Sequence, residues 1–464
     1  MLPACFFRGI PFIFQQGGII DLKSTRFFSP LWLLTAALLL LVTACTPESR
    51  SSNGAPAAGT NDDGSATEKV TIDFWTFWGS ETRRPIIEKI IEDFNQSQDR
   101  IVVKHTYLPF GDIWTKNLAS IAAGNPADVI INDYADVNLR ASKNQNTNLS
   151  EYLSQDDIEK QFYPELWKNV LYNDEAYALP FNTDTRLLYY NKEAFREAGL
   201  DPEQPPQTWE QLEEYAKKLD KKTGSQYDRV GFYPLWGDFG VDSWLINGDG
   251  GNGYFNENDE TSINTPGKVS TLEWLKSWQD RLGRQTVDAM KADFGSGVSD
   301  PFISGKVAMY IQTGTYNTQI EEFGQDLDIG VAPIPEREEG SGHWSSGGGF
   351  VVEIPKGAKH PDEAWEFMKY LTGVDAQKYW ALKNFDNVAN IEAAEDPEAN
   401  ENAVYKASVE NLANTKVFQV PLSASGYKDL INPHMDAVFL GKETPEQALQ
   451  GAEKDVQALM SKSK

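Results

Sequence analysis

Cysteine is nearly missing from this chain. Cys5 and Cys45 are the only two among 464 residues, and both lie in its first tenth. No disulfide framework can staple the body, which must be held by its own core. Histidine is equally scarce: His105, His343, His360 and His434 are scattered, and none stands in a metal-ligand spacing such as H-E-x-x-H. No metal or other cofactor is expected. Positive charge is short as well. The 42 Lys and Arg face 68 Asp and Glu, for a formal charge of −26. Such a surface repels phosphate backbones, which excludes nucleic acid as a partner and argues against charge-driven attachment to anionic lipid. A nucleophile elbow is also absent.

What is present begins with an address. Leu31 to Val42 reads LWLLTAALLLLV, too short for a comfortable membrane span of ~20 residues. Arg8, Lys23 and Arg26 precede it, and Val42-Thr43-Ala44-Cys45 ends it. A positive region, an apolar run and small residues before a cysteine resemble a bacterial lipobox. Residues 1–44 are therefore predicted to be a lipoprotein signal peptide and Cys45 the lipidated residue; the alternative is an uncleaved anchor or a buried cysteine. Residues 45–69 are rich in Ser, Gly, Ala, Asn and Asp and read as a flexible tether. The body would stand outside the cytoplasm, on the periplasmic side or cell surface, touching the membrane through its lipid anchor only.

From Val70 onward the pattern is that of a packed α/β protein. Val70-Thr71-Ile72-Asp73-Phe74-Trp75 alternates as a strand does. Ile86, Ile87, Ile90, Ile91 and Phe94 follow at helical spacing behind Pro85. Ile101-Val102-Val103, a helix through Leu118 and Ile121, and Asp128-Val129-Ile130-Ile131 continue a strand–helix alternation that implies a parallel sheet. Thr208-Trp209-Glu210-Gln211 reads as a capping box. Leu272, Leu275 and Leu282 mark another helix. Lys306 to Gln312, Asp328 to Ala332 and Phe350 to Ile354 are strand candidates. His360-Pro361-Asp362 opens a helix that Gly373 closes.

Ala178-Leu179-Pro180-Phe181-Asn182-Thr183-Asp184-Thr185-Arg186-Leu187-Leu188-Tyr189-Tyr190-Asn191-Lys192 resembles the first interlobe crossing of family 1 extracellular solute-binding proteins. Phe74 to Gly79, Ala127 to Ile130, Phe302 to Met309, Asp328 to Pro335 and Gly347-Gly348-Gly349-Phe350 are similar to the same family and occur in order, over about residues 70 to 460. The resemblance implies an α/β, two-lobed periplasmic-binding-protein fold (type II) with discontinuous lobes joined by hinge crossings. Lobe 1 is expected over 70–181 plus about 314–346, and lobe 2 over 182–313 plus about 347–464. It also implies a monomer without chemistry that delivers a small solute, a mono- or oligosaccharide, to ABC permease subunits. One segment departs from the family pattern: after the helix at Asp362 a glycine–proline loop is expected, and Asn384-Phe385-Asp386-Asn387-Val388 stands there.

A sugar offers flat C–H faces to aromatic rings and hydroxyls to Asp, Asn and backbone groups. Parallel sheets bind at the carboxyl ends of their strands. That selects Trp75, Trp78 and Ser80 after the first strand, and Asp133 and Tyr134 after the third. Asn182 and Asp184 lie at the crossing, with Gly314 and Tyr316 after a later strand. Trp236, Asp238 and Trp244 sit in a Pro- and Gly-broken stretch. Trp344, Gly347 and Gly348 sit at a return crossing, where bare backbone can approach a ligand. Trp274, Trp278 and Trp365 are assigned to the core. Gly248-Asp249-Gly250-Gly251-Asn252-Gly253 matches G-x-G-x-x-G literally, but no helix pattern follows, so a nucleotide loop is not inferred. The same aromatic and acidic composition suits two other readings: a secreted glycoside hydrolase with paired carboxylates, and a receptor for a polyamine or peptide.

Overall fold

The structure, a computed structural model, describes residues 69–154 and 157–462. Cys5, Cys45 and the expected signal peptide and tether up to residue 68 lie outside the described residues. The alternation at Val70–Thr76 turns Ile72, Phe74 and Thr76 inward, each fully buried. This strand pairs in parallel with Ile101–Tyr107, from Val70 opposite Ile101 to Thr76 opposite Tyr107, and with Val129–Asp133. The helix Arg83–Ser97 connects the first pair and buries Ile86, Ile87, Ile90, Ile91 and Phe94. The resulting sheet has six strands, in the order Asn387–Val388, Leu179–Thr183, Gly349–Glu353, Val129–Asp133, Val70–Thr76, Ile101–Tyr107. Gly349–Glu353 runs antiparallel to both of its neighbours. A buried fork fastens it there: Arg140 donates to both carboxylate oxygens of Glu353, and Asn132 donates to the same carboxylate at 2.6 Å. Breaking one half of such a buried pair strands the other charge.

A second sheet of three antiparallel strands carries Met309–Thr313 and Ile329–Ala332 on either side of Arg186–Asn191. Around it pack the helices Trp209–Leu219, Gly240–Gly248 and Pro266–Leu282. The predicted capping box forms only in part: Thr208 Oγ1 accepts from Gln211 N at 3.3 Å, while Gln211 Oε1 accepts from the amide of Gln207. Gly373 does not end its helix in a left-handed turn. Pro361–Leu371 stops at Thr372, and Gly373 instead precedes the next helix, Val374–Asn384.

Each sheet has its own apolar core, and the cores divide the chain differently from the expected lobes. Residues 70–183 and about 349–405 build the core of the large sheet; 187–334, with Ile431 to Val456, build that of the small one. The stretch 314–346, expected in lobe 1, sends Tyr316, Ile320, Ala332 and Ile334 into the small-sheet core. The stretch 349–400, expected in lobe 2, sends Val351, Val352, Trp365 and Trp380 into the large-sheet core. The cause is the antiparallel insertion of Gly349–Glu353, a long-range pairing that local pattern does not encode.

The chain passes between the two halves three times: at Asp184–Thr185, at Ser346–Gly348, and along the helix Ala403–Asn411. In that helix Val404 enters one core and Tyr405 the other. The three crossings meet at Thr185, which is fully buried. Its hydroxyl lies 2.6 Å from Thr415 Oγ1, donates to Ser345 Oγ at 3.3 Å and accepts from Asn411 Nδ2 at 2.8 Å. Gly314, expected near a crossing, lies instead between Met309–Thr313 and the helix Asn317–Phe323, both in the small half. A side chain there would strike the Phe385 carbonyl at 2.8 Å, so Gly314 is a contact point between halves and not a passage.

Candidate ligand-binding site

The carboxyl ends of the three parallel strands face the crossings, and there the polar groups converge. Asp184 accepts from Gly348 N at 2.7 Å and from Arg186. Arg186 also donates to Ser346 O at 3.2 Å, and to the backbone and side-chain oxygens of Asp238 at 3.1 and 3.5 Å. Burial alone would lower the Arg186 pKa; Asp184 and Asp238 outweigh it and hold the guanidinium above its usual value. Asp133 accepts from Ala135 N at 2.7 Å, and burial holds its carboxyl above the usual range despite that bond and nearby Arg140.

One wall is aromatic. Phe77 leaves the first strand, Phe110 and Trp114 follow the second, and Phe350 stands opposite Asp133. Their ring centroids lie 4.6 Å (Phe77–Phe350), 5.1 Å (Phe77–Phe110) and 4.9 Å (Phe110–Trp114) apart, all edge-on. Phe110 is 64% exposed, an unusual state for a ring held in a cluster. Across the crossings, a cavity of about 250 Å³ is bordered by Ala135, Ser346, Gly347, Ser243 and Phe418. Asp242 and Tyr254 form its far side, where the Tyr254 hydroxyl and Lys428 both donate to Asp242. Lys428 lies 5.5 Å from the ring centroids of both Tyr254 and Tyr427. A second cavity of about 250 Å³ shares Ala135, Val420, Tyr427 and Lys428 with the first. On the other flank the halves touch through Arg83, which donates to Thr315 Oγ1 at 3.2 Å.

The expected site residues separate sharply by burial. Asp184, Gly347 and Gly348 meet at the crossings with Asp238, and Asp133 lies at the adjoining strand end. Asn182 joins them from below, its amide donating to Asp386 at 2.6 Å and accepting from Phe350 N at 2.8 Å. Ser80 is exposed and accepts from Arg83 N at 3.1 Å. Trp75 lies on the opposite face from Phe74, and its indole donates to Asp73. The large aromatic candidates are corrections. Trp78, 2% exposed, packs against Phe181 and Trp380. Tyr134, also 2% exposed, is inside the large-sheet core. Trp236 packs on Tyr233 and Phe294, and Trp244 sits among Trp209, Phe239 and Trp274. Tyr316 is packed on Tyr189 and donates to Asp300. Trp78, Tyr134 and Trp244 lie wholly within the cores, whereas Tyr316, though largely buried, borders a cavity of about 380 Å³ with Ser80, Arg83 and Thr315, and Trp236 borders one of about 370 Å³ with Asp288 and Lys291 on the small half. Trp344 is half-buried, with the Lys416 ammonium 4.3 Å above its ring. In the departing loop, Asp386 accepts from Asn182 and Trp380, and burial pushes its carboxyl up to about 6.

Phe77, Phe110, Trp114, Phe350 and Arg186 were not singled out from sequence. For Phe77 a signal exists. Ile72, Phe74, Thr76 and Trp78 share one phase of a two-residue period, and Phe77 falls in the other. Among the described residues no group of three or more His, Cys, Asp or Glu could hold a metal ion, and no helix is long and apolar enough to cross a membrane.

Residues 78–378 match the model of the bacterial extracellular solute-binding protein family, and the chain belongs to that family, whose members bind solutes and carry out no catalysis. It is similar to the arabinooligosaccharide-binding protein of Bacillus subtilis, 24% identical over 460 residues, covering 90% of this chain and 96% of that one. The sn-glycerol-3-phosphate-binding periplasmic protein of Salmonella typhimurium is 24% identical over 415 residues, covering 84% and 92%. Among solved structures, CpMnBP1 with mannotriose bound superposes with a TM-score of 0.74 at 27% identity, covering 84% of this chain and all of that one. The fold is thus the α/β periplasmic-binding-protein fold.

Proposed function

We propose that this member of the bacterial extracellular solute-binding proteins captures a neutral oligosaccharide between its two halves and delivers it to an ABC-type permease. It would act as a monomer held at the outer face of the membrane by lipid on Cys45. The observation that carries the reading is the aromatic wall Phe77–Phe110–Trp114–Phe350 beside the crossing carboxylates. The exposed Phe110 ring, backed by the half-buried Phe77, Trp114 and Phe350, suits the C–H face of a pyranose, and Asp133, Asp184, Asp238 and the Gly347–Gly348 backbone suit its hydroxyls. The mannotriose-bound neighbour and the arabinooligosaccharide-binding relative support a saccharide. A phosphorylated solute fits less well, because it needs free cations. Arg186 is already held by Asp184 and Asp238, and Lys428 by Asp242, which among the described residues leaves Arg83 and Lys416 as the boundary cations without an ion pair. The experiment is a thermal-shift and calorimetric screen of the full chain against manno-, malto- and arabino-oligosaccharides, with sn-glycerol-3-phosphate and spermidine as contrasts. Binding of glycerol-3-phosphate or spermidine with none of the saccharides would overturn the saccharide assignment. Turnover of a bound saccharide would overturn the receptor reading.

A further inference from the structure

The segment after the third crossing is irregular, and it lies beyond residues 78–378, which match the family model. Thr415–Lys416 pairs in parallel with Ser345–Ser346 at the crossing, and the chain then runs to the helix Lys428–Phe439. On the way it touches both halves. Asn138, in the large half, donates to Gln419 Oε1 at 2.9 Å. On the small half the segment lies on the glycine loop Gly248 to Gly253, the literal nucleotide-loop match. A side chain at Gly253 would meet the Phe418 ring at 2.7 Å, and one at Gly251, where φ is +83°, would meet Trp344 at 2.8 Å and Lys416 at 3.2 Å. Those glycines therefore leave room for this strap. Phe418, Gln419 and Val420 line the first cavity, and Val420 also lines the second. Phe418 keeps 37% of its surface open although it packs on backbone.

We propose that residues 416–420 form a wall of the cleft, seated on the 248–253 loop and latched by Asn138–Gln419, that limits the length of saccharide the receptor admits. The proposal rests on the saccharide reading above and adds the residues that set chain length. With the strap seated, each compartment has about 250 Å³. Phe418, Gln419 and Val420 bound the first compartment, and Val420 stands at its border with the second, so a saccharide that outgrows the first compartment must pass this wall.

The test is calorimetric titration of the full chain with mannose, mannobiose, mannotriose and mannotetraose, and with the matching malto- and arabino-series. Phe418→Ala, Gln419→Ala and Asn138→Ala are compared with wild type. Asn138 does not border the cavity, so its variant reports on the latch even if Phe418→Ala folds poorly. The expected result is that wild-type affinity falls off along the best series. Each variant should raise the long-to-short affinity ratio by roughly tenfold, with faster amide exchange at 416–420 in the two latch variants. A ladder of unchanged shape in all three variants, with saccharide still bound, overturns the wall and leaves the receptor reading standing. Unchanged exchange in both latch variants overturns the latch. Failure of wild type to bind any member of the three series overturns the saccharide reading, and the wall with it.

Discussion

Two aromatic truncations should behave in opposite ways, and the structure sets the size of each. Trp236 is 3% exposed inside the small-sheet core, so Trp236→Ala removes a buried indole and leaves a void. Buried Trp-to-Ala changes cost ~3–5 kcal/mol. The Trp236 indole N–H has no partner in the structure, and an unsatisfied buried donor already costs ~1–3 kcal/mol. Removing it offsets part of the loss, so a value near ~3 kcal/mol is expected for Ala. Trp236→Phe, which drops only the unpaired N–H and part of the ring, should lie within ~1 kcal/mol of wild type. Neither should change affinity in the folded protein. Phe110 is the reverse case. With 64% of its surface exposed and edge contacts only to neighbouring rings, Phe110→Ala should cost under ~1 kcal/mol of stability. If Phe110 stacks on the ligand, the same change should weaken binding by ~2 kcal/mol, about thirtyfold. Urea unfolding of the empty receptor and calorimetry with the best saccharide, on the same preparations, read both quantities. Wild-type affinity in Phe110→Ala would remove the aromatic wall from the site. A stable Trp236→Ala protein that binds weakly would return Trp236 to it.

Stability should fall with rising pH in two separate windows. Asp386 is held at about 6 by burial, above its ordinary 3.8, so the folded state keeps its proton longer than the unfolded chain. Stability is fully present below 3.8 and declines by ~3 kcal/mol as pH rises to about 6; Asp386→Asn should flatten that part of a pH series of urea midpoints, and an unchanged slope would refute it. Burial alone would lower the His434 pKa, but Glu443 at 2.9 Å and Asp455 at 3.3 Å outweigh it and raise it above 6.5. Its contribution is therefore present below 6.5 and lost as pH rises through the folded value, and His434→Gln should lack this second decline. Arg140→Met leaves Glu353 buried without its partner and should cost ~3–5 kcal/mol, read as a drop in urea midpoint. Cys45→Ser should abolish acyl mass and release the protein from membranes; wild-type protein without acyl mass would refute the lipobox.

The order of elements was legible because each depends on a local period. Alternation marks Val70–Thr76, helical spacing marks Arg83–Ser97, and a short continuous apolar run marks Val129–Asp133. The crossings at Asp184 and Gly347–Gly348 were legible from the family resemblance. The choice between core and cleft for the tryptophans was not, because a Pro- and Gly-broken backbone occurs both at a surface and inside an irregular core. Around Trp236 the breaks serve the interior instead. Gly237, at φ +89°, bridges to Ile311, whose carbonyl accepts from Asp238 N at 2.9 Å; a side chain at Gly237 would strike that carbonyl. The Pro234 carbonyl accepts the Trp244 indole at 2.8 Å. Proline and glycine here satisfy buried polar groups in an irregular core segment. The strand phase around Phe77 and Trp78 was the better guide, because it reports which side of the sheet a side chain must occupy.

The crossings also constrain how the halves can move. No apolar core spans them, since the two clusters share no buried residue and the helix Ala403–Asn411 gives Val404 to one and Tyr405 to the other. A rotation of one half against the other therefore leaves both cores intact and is opposed mainly by the polar contacts at the boundary. Those contacts are unequal. Thr185, Ser345, Asn411 and Thr415 form a fully or partly buried hydroxyl–amide knot within the crossings themselves, close to any rotation axis, where displacement is least. Arg83–Thr315 and Asn138–Gln419 join residues on opposite halves away from that knot and must lengthen when the halves separate. Each is a net contribution of only ~0.5–1.5 kcal/mol for a neutral pair, and somewhat more for the charged one. If the halves rotate about the crossings, these two bonds should break while the knot stays closed; small-angle scattering with and without a saturating saccharide checks this, and an unchanged radius of gyration with binding confirmed would refute the rotation.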